Sequence, residues 1–124
     1  MLDKENLDII SVCSWDPQHA EMSIAACSRR PKAVLCEKPM AKTLAEADAM
    51  LEVCQRHNVK VVVAHRRACA YEQHGKELVQ RGEIGQVNTI KAHGKCDQRA
   101  GAMDLAVLGT HMMDSMRYFS GADV

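Results

Sequence analysis

Short, nearly continuous apolar runs rich in β-branched residues alternate along this chain with segments of helical periodicity. The runs occupy residues 8–13, 33–36 and 59–64. Such runs are typical of strands in a parallel sheet that is covered on both faces, and parallel strands need long crossover connections. The alternation therefore predicts an α/β fold built from right-handed βαβ units.

Helix-start signals follow the first two runs. Asp16 and Pro17 predict an N-cap and a first helical position, with a helix that continues to about residue 28. Thr43 and Glu46 have the spacing of a capping box, in which the hydroxyl and the carboxylate each accept a hydrogen bond from a backbone amide. The residues expected to face the core are Ala20, Ile24 and Cys27 in the first helix and Leu44, Ala47, Leu51 and Cys54 in the second.

Three later segments complete the expected organisation. Residues 71–81 have the pattern of a helix that is closed by Gly82, and residues 86–94 have the pattern of a more exposed strand. Residues 108–119 have an apolar stripe at helical spacing, and Gly121 is expected to stop this last helix.

Composition excludes several classes of protein. The 16 Lys and Arg residues balance 16 Asp and Glu residues, so the chain lacks the basic excess of a nucleic-acid binder. No apolar run approaches the roughly 20 residues of a bilayer span, and we expect no membrane partner and a cytoplasmic location. The six cysteines contain no Cys-x-x-Cys pair, so we interpret them as reduced small hydrophobes and expect no metal site.

Polar residues follow each of the three predicted strands. They occupy residues 14–16, 37–39 and 65–67. Ligands of open parallel sheets bind outside the carboxyl ends of the strands, because the ends of all the strands meet at one edge. We therefore expect these three groups to line a shared crevice.

The second group lies within a recognisable motif. Residues 34–41 read VLCEKPMA, with His19 upstream and Gly82 and Gly85 downstream, and Gly109-Thr110-His111 follows later in the chain. In this order the motifs closely resemble the Gfo/Idh/MocA family, named for glucose-fructose oxidoreductase and inositol dehydrogenase. The resemblance implies two-domain enzymes with an N-terminal Rossmann domain that binds NAD or NADP.

The resemblance also indicates which part of such an enzyme this chain matches. No Gly-x-Gly-x-x-Gly occurs in the sequence, and in the family that loop lies upstream of the residue matching Met1. The chain therefore resembles an internal fragment. Residues 1–82 match part of the Rossmann domain, and residues 83–124 match the start of the C-terminal α/β domain that serves substrate binding and oligomerisation.

The family's functional residues carry over position by position. Lys38 matches the catalytic lysine, and His111 matches a histidine that accepts the substrate proton in many members. The positions expected to contact the cofactor are Ser14, Trp15, Asp16, His19, Glu37, Lys38 and Pro39, although His19 also fits a packing or capping role. Arg67 and Asp104 are the expected substrate-binding residues.

One departure from the family pattern concerns the neighbourhood of His111. Val107 stands where the family has an aspartate that contacts the substrate or orients the imidazole. Asp104 can take over that role only if the backbone follows a different path before Gly109. Asp114 lies three residues after His111, where it can accept an imidazole hydrogen bond, but an ordinary helix ion pair with Arg117 is the favoured interpretation.

Two functions of different classes fit these residues. The first is an NAD(P)-dependent oxidoreductase, or a fragment of one, that transfers a hydride between the nicotinamide and a secondary alcohol of a sugar, cyclitol or related small molecule. The second is a non-catalytic homologue that acts as a binding or assembly module, favoured by Val107 and by the missing glycine loop. The resemblance also implies a homo-oligomer. A metal-dependent hydrolase is a distant third, since only His111 and Asp114 form a plausible ligand pair.

A first prediction concerns association of the chain with itself. If the strand at residues 8–13 lacks the neighbour that normally covers its edge, its open apolar edge favours pairing with another copy. We predict that the isolated 124-residue chain self-associates at high concentration, as measured by size-exclusion chromatography with light scattering. A monodisperse monomer would contradict this expectation.

Overall fold

The computed structural model describes residues 1–94 and 105–122. It divides the chain into two compact units, Met1–Ala64 and His65–Val124. The first unit holds all three strands, and the second is helical within its described residues. The predicted domain boundary between residues 82 and 83 refers to the longer family proteins and stays a prediction.

The first unit contains a parallel sheet of three strands in the order β1-β2-β3. The strands are β1 (Ile9–Val12), β2 (Ala33–Cys36) and β3 (Lys60–Val63). Both pairings are parallel, with Val12 opposite Cys36 and Cys36 opposite Val63. The predicted α/β class and the three strand positions are therefore confirmed, and β1 is an edge strand of this sheet.

Helix α1 (His19–Cys27) begins after one 3-10 turn at Asp16–Gln18. Trp15 holds the N-cap position of that turn, and no side chain caps it. The predicted cap by Asp16 is wrong, because Asp16 already lies inside the turn rather than before it. The predicted inward face is confirmed for Ala20 and Cys27, which are both buried.

Helix α2 (Leu44–Arg56) begins with the predicted capping box. The backbone amide of Glu46 donates to Thr43 Oγ1 at 3.2 Å, and the backbone amide of Thr43 donates to Glu46 Oε2 at 3.3 Å. The predicted inward face is wrong for Leu44 and Leu51, which are 84% and 43% exposed. Met50 is fully buried instead, and a helix turns 100° per residue, so the neighbouring Leu51 faces sideways.

Both helices cover the same face of the sheet. Ile10, Val12 and Val34 pack there in a core with α1 and α2 residues such as Ala26 and Cys54. The opposite face presents Ile9, Leu35 and Val62, which are 66%, 38% and 53% exposed. Within this unit the expectation that the strands are covered on both faces is therefore wrong, because both of its helices lie over the first face.

Two of the cysteines, which the sequence predicts to be reduced, form a disulfide. Cys27 of α1 and Cys54 of α2 form a disulfide, with their Cα atoms 5.4 Å apart. The interpretation of all six cysteines as reduced is wrong for this pair, since two helices on one sheet face bring their cysteines within disulfide range. Cys13, Cys36 and Cys69 have free thiols, as predicted, and Cys96 lies outside the described residues.

The second unit consists of two longer helices and their connections. A 3-10 turn at Arg66–Ala68 precedes α3 (Ala70–Gln80), and a π-helical turn at Leu105–Gly109 leads into α4 (Thr110–Ser120). Gly82 and Gly121 end the two helices with φ angles of 73° and 72°, as predicted. No described helix is long and apolar enough to cross a bilayer.

The predicted strand at residues 86–94 is absent. This segment has no regular secondary structure in the described chain. A strand exists only as part of a hydrogen-bonded ladder, and all three described strands belong to the sheet of the first unit. The apolar alternation that predicts this strand is therefore present without a partner strand among the residues that the structure describes.

A second prediction tests the start of α2. Thr43→Ala removes the side-chain acceptor for the amide of Glu46, so the free energy of unfolding should fall by about 1 kcal/mol. Thr43→Ser keeps the hydroxyl and should stay within a few tenths of a kcal/mol of the parent. Urea denaturation of the three proteins measures both changes, and equal losses for the two variants would contradict the role of the hydroxyl.

Candidate functional site

Two of the three predicted polar groups meet at one edge of the first unit. Strands β1 and β2 run parallel with Val12 opposite Cys36, so residues 14–16 and 37–39 both leave the sheet at its carboxyl edge. The ladder continues one step further, since the amide of Glu37 donates to the carbonyl of Val12 at 2.9 Å. The shared edge predicted from the sequence is confirmed for these two groups.

His19 lies between the two turns. Its ring is almost fully buried, with 2% exposure. Nδ1 lies 2.6 Å from the carbonyl oxygen of Pro39, and Nε2 lies 3.0 Å from the carbonyl oxygen of Ser14. Both ring nitrogens are therefore engaged with backbone oxygens, one in each turn.

The turn after β2 carries Glu37, Lys38 and Pro39, all half-buried. The peptide bond between Lys38 and Pro39 is cis. The backbone amide of Lys38 donates to Glu37 Oε2 at 3.1 Å, which holds the Glu37 carboxylate against its own turn. Lys38 follows β2 directly at the carboxyl edge of the sheet, where ligands of this fold class bind.

The turn after β1 offers groups that fit a ligand. Ser14 Oγ is buried and has no hydrogen-bond partner within the described residues. Trp15 is 73% exposed, although large aromatic side chains usually bury most of their surface. An unsatisfied buried hydroxyl beside an exposed indole fits contact with a cofactor that stacks and accepts hydrogen bonds.

The third predicted group belongs to the second unit, where Arg67 forms a bidentate ion pair with Asp114 of α4. The Arg67 Nε atom lies 2.9 Å from Asp114 Oδ2, and its terminal nitrogen contacts Oδ1. His65 Nδ1 lies 3.9 Å from the same carboxylate. Sequence reasoning favoured Arg117 as the partner of Asp114, whereas this bidentate partner lies 47 positions away.

These neighbours change the pKa of Asp114. The hydrogen bond from Arg67 is the largest cause that lowers the carboxyl pKa below its ordinary value, and the charges of His65 and His111 act in the same direction. The same hydrogen bond raises the pKa of Arg67. Asp114 is therefore a carboxylate held in place by a guanidinium, next to two imidazoles.

His111, the predicted proton acceptor, lies in the first turn of α4. Its ring meets the ring of His65 edge to face, with centroids 5.5 Å apart. Val107 lies in the π-helical turn that precedes α4, and Asp104 lies outside the described residues. The cluster of His65, His111, Asp114 and Arg67 thus includes a histidine that the sequence places in the third polar group without giving it a role of its own.

A buried carboxylate next to this cluster was also missed. Glu72 of α3 is 4% exposed. It pairs with Arg66 Nε at 3.0 Å and accepts a hydrogen bond from Ser115 Oγ at 3.1 Å. No sequence motif marks Glu72, because its partners come from a preceding turn and from a helix 43 residues away. Among the described residues, no three His, Cys, Asp or Glu side chains are placed to hold a metal ion.

A third prediction concerns the titration of Asp114. Its carboxyl should titrate below the ordinary value of about 3.9, as followed by the carboxyl carbon signal in NMR. Arg67→Met should bring that pKa back towards the ordinary value. The matched variant Arg117→Met, which removes the arginine three residues further along α4, should change it less, and the reverse order would contradict the assignment of Arg67 as the main partner.

The lowered pKa of Asp114 also makes the stability of the folded chain depend on pH in a defined direction. A carboxyl with a lower pKa in the folded chain contributes stability above about pH 4, and this contribution is lost as the pH falls through the lowered pKa. Arg67 is 48% exposed, so solvent screening limits the contribution to about 1 kcal/mol or less. Asp114→Asn should therefore destabilise the chain at pH 6 and have little effect near pH 2.

Comparison with known proteins gives relatives of one kind. The chain is 30% identical to a myo-inositol 2-dehydrogenase of Thermotoga maritima, over 100% of this chain and 39% of the relative. It is 27% identical to a levoglucosan dehydrogenase of Pseudarthrobacter phenanthrenivorans, over 98% of this chain and 35% of the relative. The chain thus spans less than two fifths of the length of these relatives.

Solved structures share the fold. A probable dehydrogenase of Thermotoga maritima matches 99% of this chain and 39% of its own chain, with a TM-score of 0.76 and 26% identity. An oxidoreductase of Agrobacterium radiobacter, solved in complex with NAD+, L-tartaric acid and magnesium, matches 98% of this chain and 38% of its own chain, with a TM-score of 0.76 and 20% identity. The second likeness bears on the fold alone.

A match to a protein-family model shows the family of this chain. Residues 1–65, which contain the whole sheet and both carboxyl-edge turns, match the model of the Gfo/Idh/MocA oxidoreductases with an NAD-binding Rossmann fold. The relative with 30% identity extends the agreement over the full chain. This chain therefore belongs to the Gfo/Idh/MocA oxidoreductase family, with an NAD-binding Rossmann fold.

Proposed function

We propose that the turns after β1 and β2 form the nicotinamide side of an NAD(P) site, in a protein that transfers a hydride between the cofactor and a secondary alcohol. The observation that carries this proposal is the meeting of residues 14–16 and 37–39 at one carboxyl edge, where His19 joins them. When bound, NAD or NADP supplies the hydride acceptor or donor.

The cofactor contacts are assigned to side chains that the fold leaves available. Ser14 has a buried hydroxyl without a partner among the described residues, and the exposed Trp15 offers a stacking surface. Asp16 and Glu37 are half-buried carboxylates at the same edge. The sequence contains no Gly-x-Gly-x-x-Gly loop, so a pyrophosphate cradle has to come from chain outside these 124 residues.

Lys38 is the proposed catalytic residue of this edge. Oxidation of a secondary alcohol requires that the hydroxyl oxygen be held while its proton leaves and the hydride departs from the carbon. The Lys38 ammonium is suited to donate a hydrogen bond to that oxygen. His111 is the proposed proton acceptor, because a neutral imidazole has a ring nitrogen that can take the proton and release it to water.

The substrate is proposed to be a sugar, a cyclitol or a related polyol. The names of relatives support this class, since they include inositol and levoglucosan dehydrogenases. Arg67 and Asp104 are the proposed substrate-binding residues. Arg67 is already engaged by Asp114 in a bidentate pair, so it would offer a substrate oxygen its remaining donor capacity, and Asp114 would orient it.

Assembly and location are also proposals. We propose a homo-oligomer, as the family resemblance implies, and a cytoplasmic location. The Cys27–Cys54 disulfide counts against the second, because cytosolic proteins rarely keep disulfides.

The alternative is a non-catalytic homologue that binds or assembles. Val107 favours it, because a valine supplies neither a substrate contact nor a hydrogen bond for an imidazole. An oxidoreductase and a binding module differ in one measurable respect, which is turnover with a bound cofactor.

A fourth prediction separates the two functions. The chain is studied alone and with an N-terminal extension that supplies a strand-Gly-x-Gly-x-x-Gly-helix segment. Calorimetric titration should detect NAD+ or NADP+ binding by the extended protein, and weak or undetectable binding by the short chain. The extended protein should oxidise a cyclitol or sugar substrate, and binding without turnover on any polyol would favour the non-catalytic alternative.

Substitution of Lys38 then tests the assigned chemistry. Lys38→Ala in the extended protein should lower kcat by about a hundredfold or more and change the cofactor dissociation constant only a few-fold. The matched variant Lys42→Ala, which removes an exposed lysine four residues later, should leave kcat near the parent value. Equal turnover in Lys38→Ala and parent would remove Lys38 from the mechanism.

A further inference from the structure

We propose that His19 is a positioning residue, whose imidazole holds the turn after β1 to the turn after β2, and that it does not itself touch the cofactor. Sequence resemblance placed His19 among the cofactor contacts. The consequence for cofactor binding rests on the proposed function, whereas the link between the two turns concerns this chain alone.

The geometry leaves His19 little capacity for a ligand. The ring is 2% exposed, and its two nitrogens lie 2.6 Å from the Pro39 oxygen and 3.0 Å from the Ser14 oxygen. An imidazole has two polar atoms, and both already face carbonyl oxygens. In either neutral tautomer the ring donates one of these hydrogen bonds, and a protonated ring donates both.

The His19 bridge lies beyond the end of the β1–β2 hydrogen-bond ladder, where it can set the spacing of the two turns. The β1–β2 ladder ends with the bond between the Glu37 amide and the Val12 carbonyl. Ser14 and Pro39 lie two or more residues beyond that point, where the parallel ladder no longer sets the distance between the chains. His19 is the first residue of α1, so the imidazole anchors both turns to the helix that packs on the sheet.

The link acts on the residues that the cofactor would meet. Ser14 precedes Trp15 and Asp16, and Pro39 follows Glu37 and Lys38. Both acceptors are main-chain oxygens, so the bridge fixes backbone positions and uses no other side chain of these turns. A binding surface made of two loops loses affinity when their spacing varies, because ordering them then costs conformational entropy on binding.

The first test uses the 124-residue chain without any cofactor. His19→Phe keeps a ring of similar size and removes both nitrogens, while His19→Asn keeps an amide nitrogen near the Nδ1 position. Amide hydrogen exchange at residues 15–16 and 37–38 should accelerate roughly tenfold in His19→Phe, the equivalent of one lost hydrogen bond, and less in His19→Asn. Ser28→Ala, a change directly after the last residue of α1 that removes only a hydrogen bond to the Ile24 oxygen, should leave these amides at the parent rate.

Unchanged exchange in both turns of His19→Phe would overturn the proposal, as would an equal acceleration throughout α2 that reveals only a general loss of stability. The His19→Asn variant separates the effect of the hydrogen bond from that of the ring's shape. It lacks the ring but keeps an amide nitrogen, so slower exchange than in His19→Phe would be due to the hydrogen bond.

The second test uses the protein extended with the glycine-loop segment. His19→Phe should raise the KM for the cofactor about tenfold and change kcat much less, because the cost of ordering the two turns falls on cofactor binding, and Lys38 is back in position once the cofactor is bound. The ring nitrogen signals of His19 in ¹⁵N NMR should stay in place when the cofactor saturates the protein. Large shifts of these signals would indicate direct contact with the cofactor and would overturn the positioning role. If the unsubstituted extended protein does not bind the cofactor, the proposed function is rejected, but the hydrogen-exchange result for the 124-residue chain remains valid.

Discussion

The parallel register between β1 and β2 is the constraint on which the candidate cofactor edge depends. Because Val12 pairs with Cys36, the two chains leave the sheet at the same level. A slip of one residue would also turn the buried side chains of β1 to the opposite face, so the core and the edge are specified together. The hydrophobic contacts of Ile10, Val12 and Val34 thus decide where Lys38 and Ser14 lie.

Local signals predicted much of the fold. The capping box of Thr43 and Glu46, the glycine stops and the three apolar strands each depend on neighbours in sequence, and each is present. The failures share a different cause. The strand at residues 86–94 needs a partner strand, and the inward face of α2 depends on how the helix rolls on the sheet, which its own sequence does not determine.

The candidate site divides in the same way. The edge formed by residues 14–16 and 37–39 follows from the topology of parallel sheets, so it was predictable once the strands were found. The long-range contacts within each unit were not predictable. His19 contacts backbone oxygens 5 and 20 positions away, and Arg67 reaches Asp114 across 47 positions, so no residue pattern marks either interaction. The Cys27–Cys54 disulfide, with a separation of 27, belongs to the same class.

The most direct measurement maps the cofactor onto the backbone. Amide ¹H–¹⁵N spectra of the extended protein, recorded during addition of NAD+, report which residues of this chain change their environment. The largest shifts are expected on residues 14–16 and 37–38, at the carboxyl edge of the sheet. Largest shifts at the opposite edge, around residues 30–32 and 57–59, would contradict the proposed cofactor site.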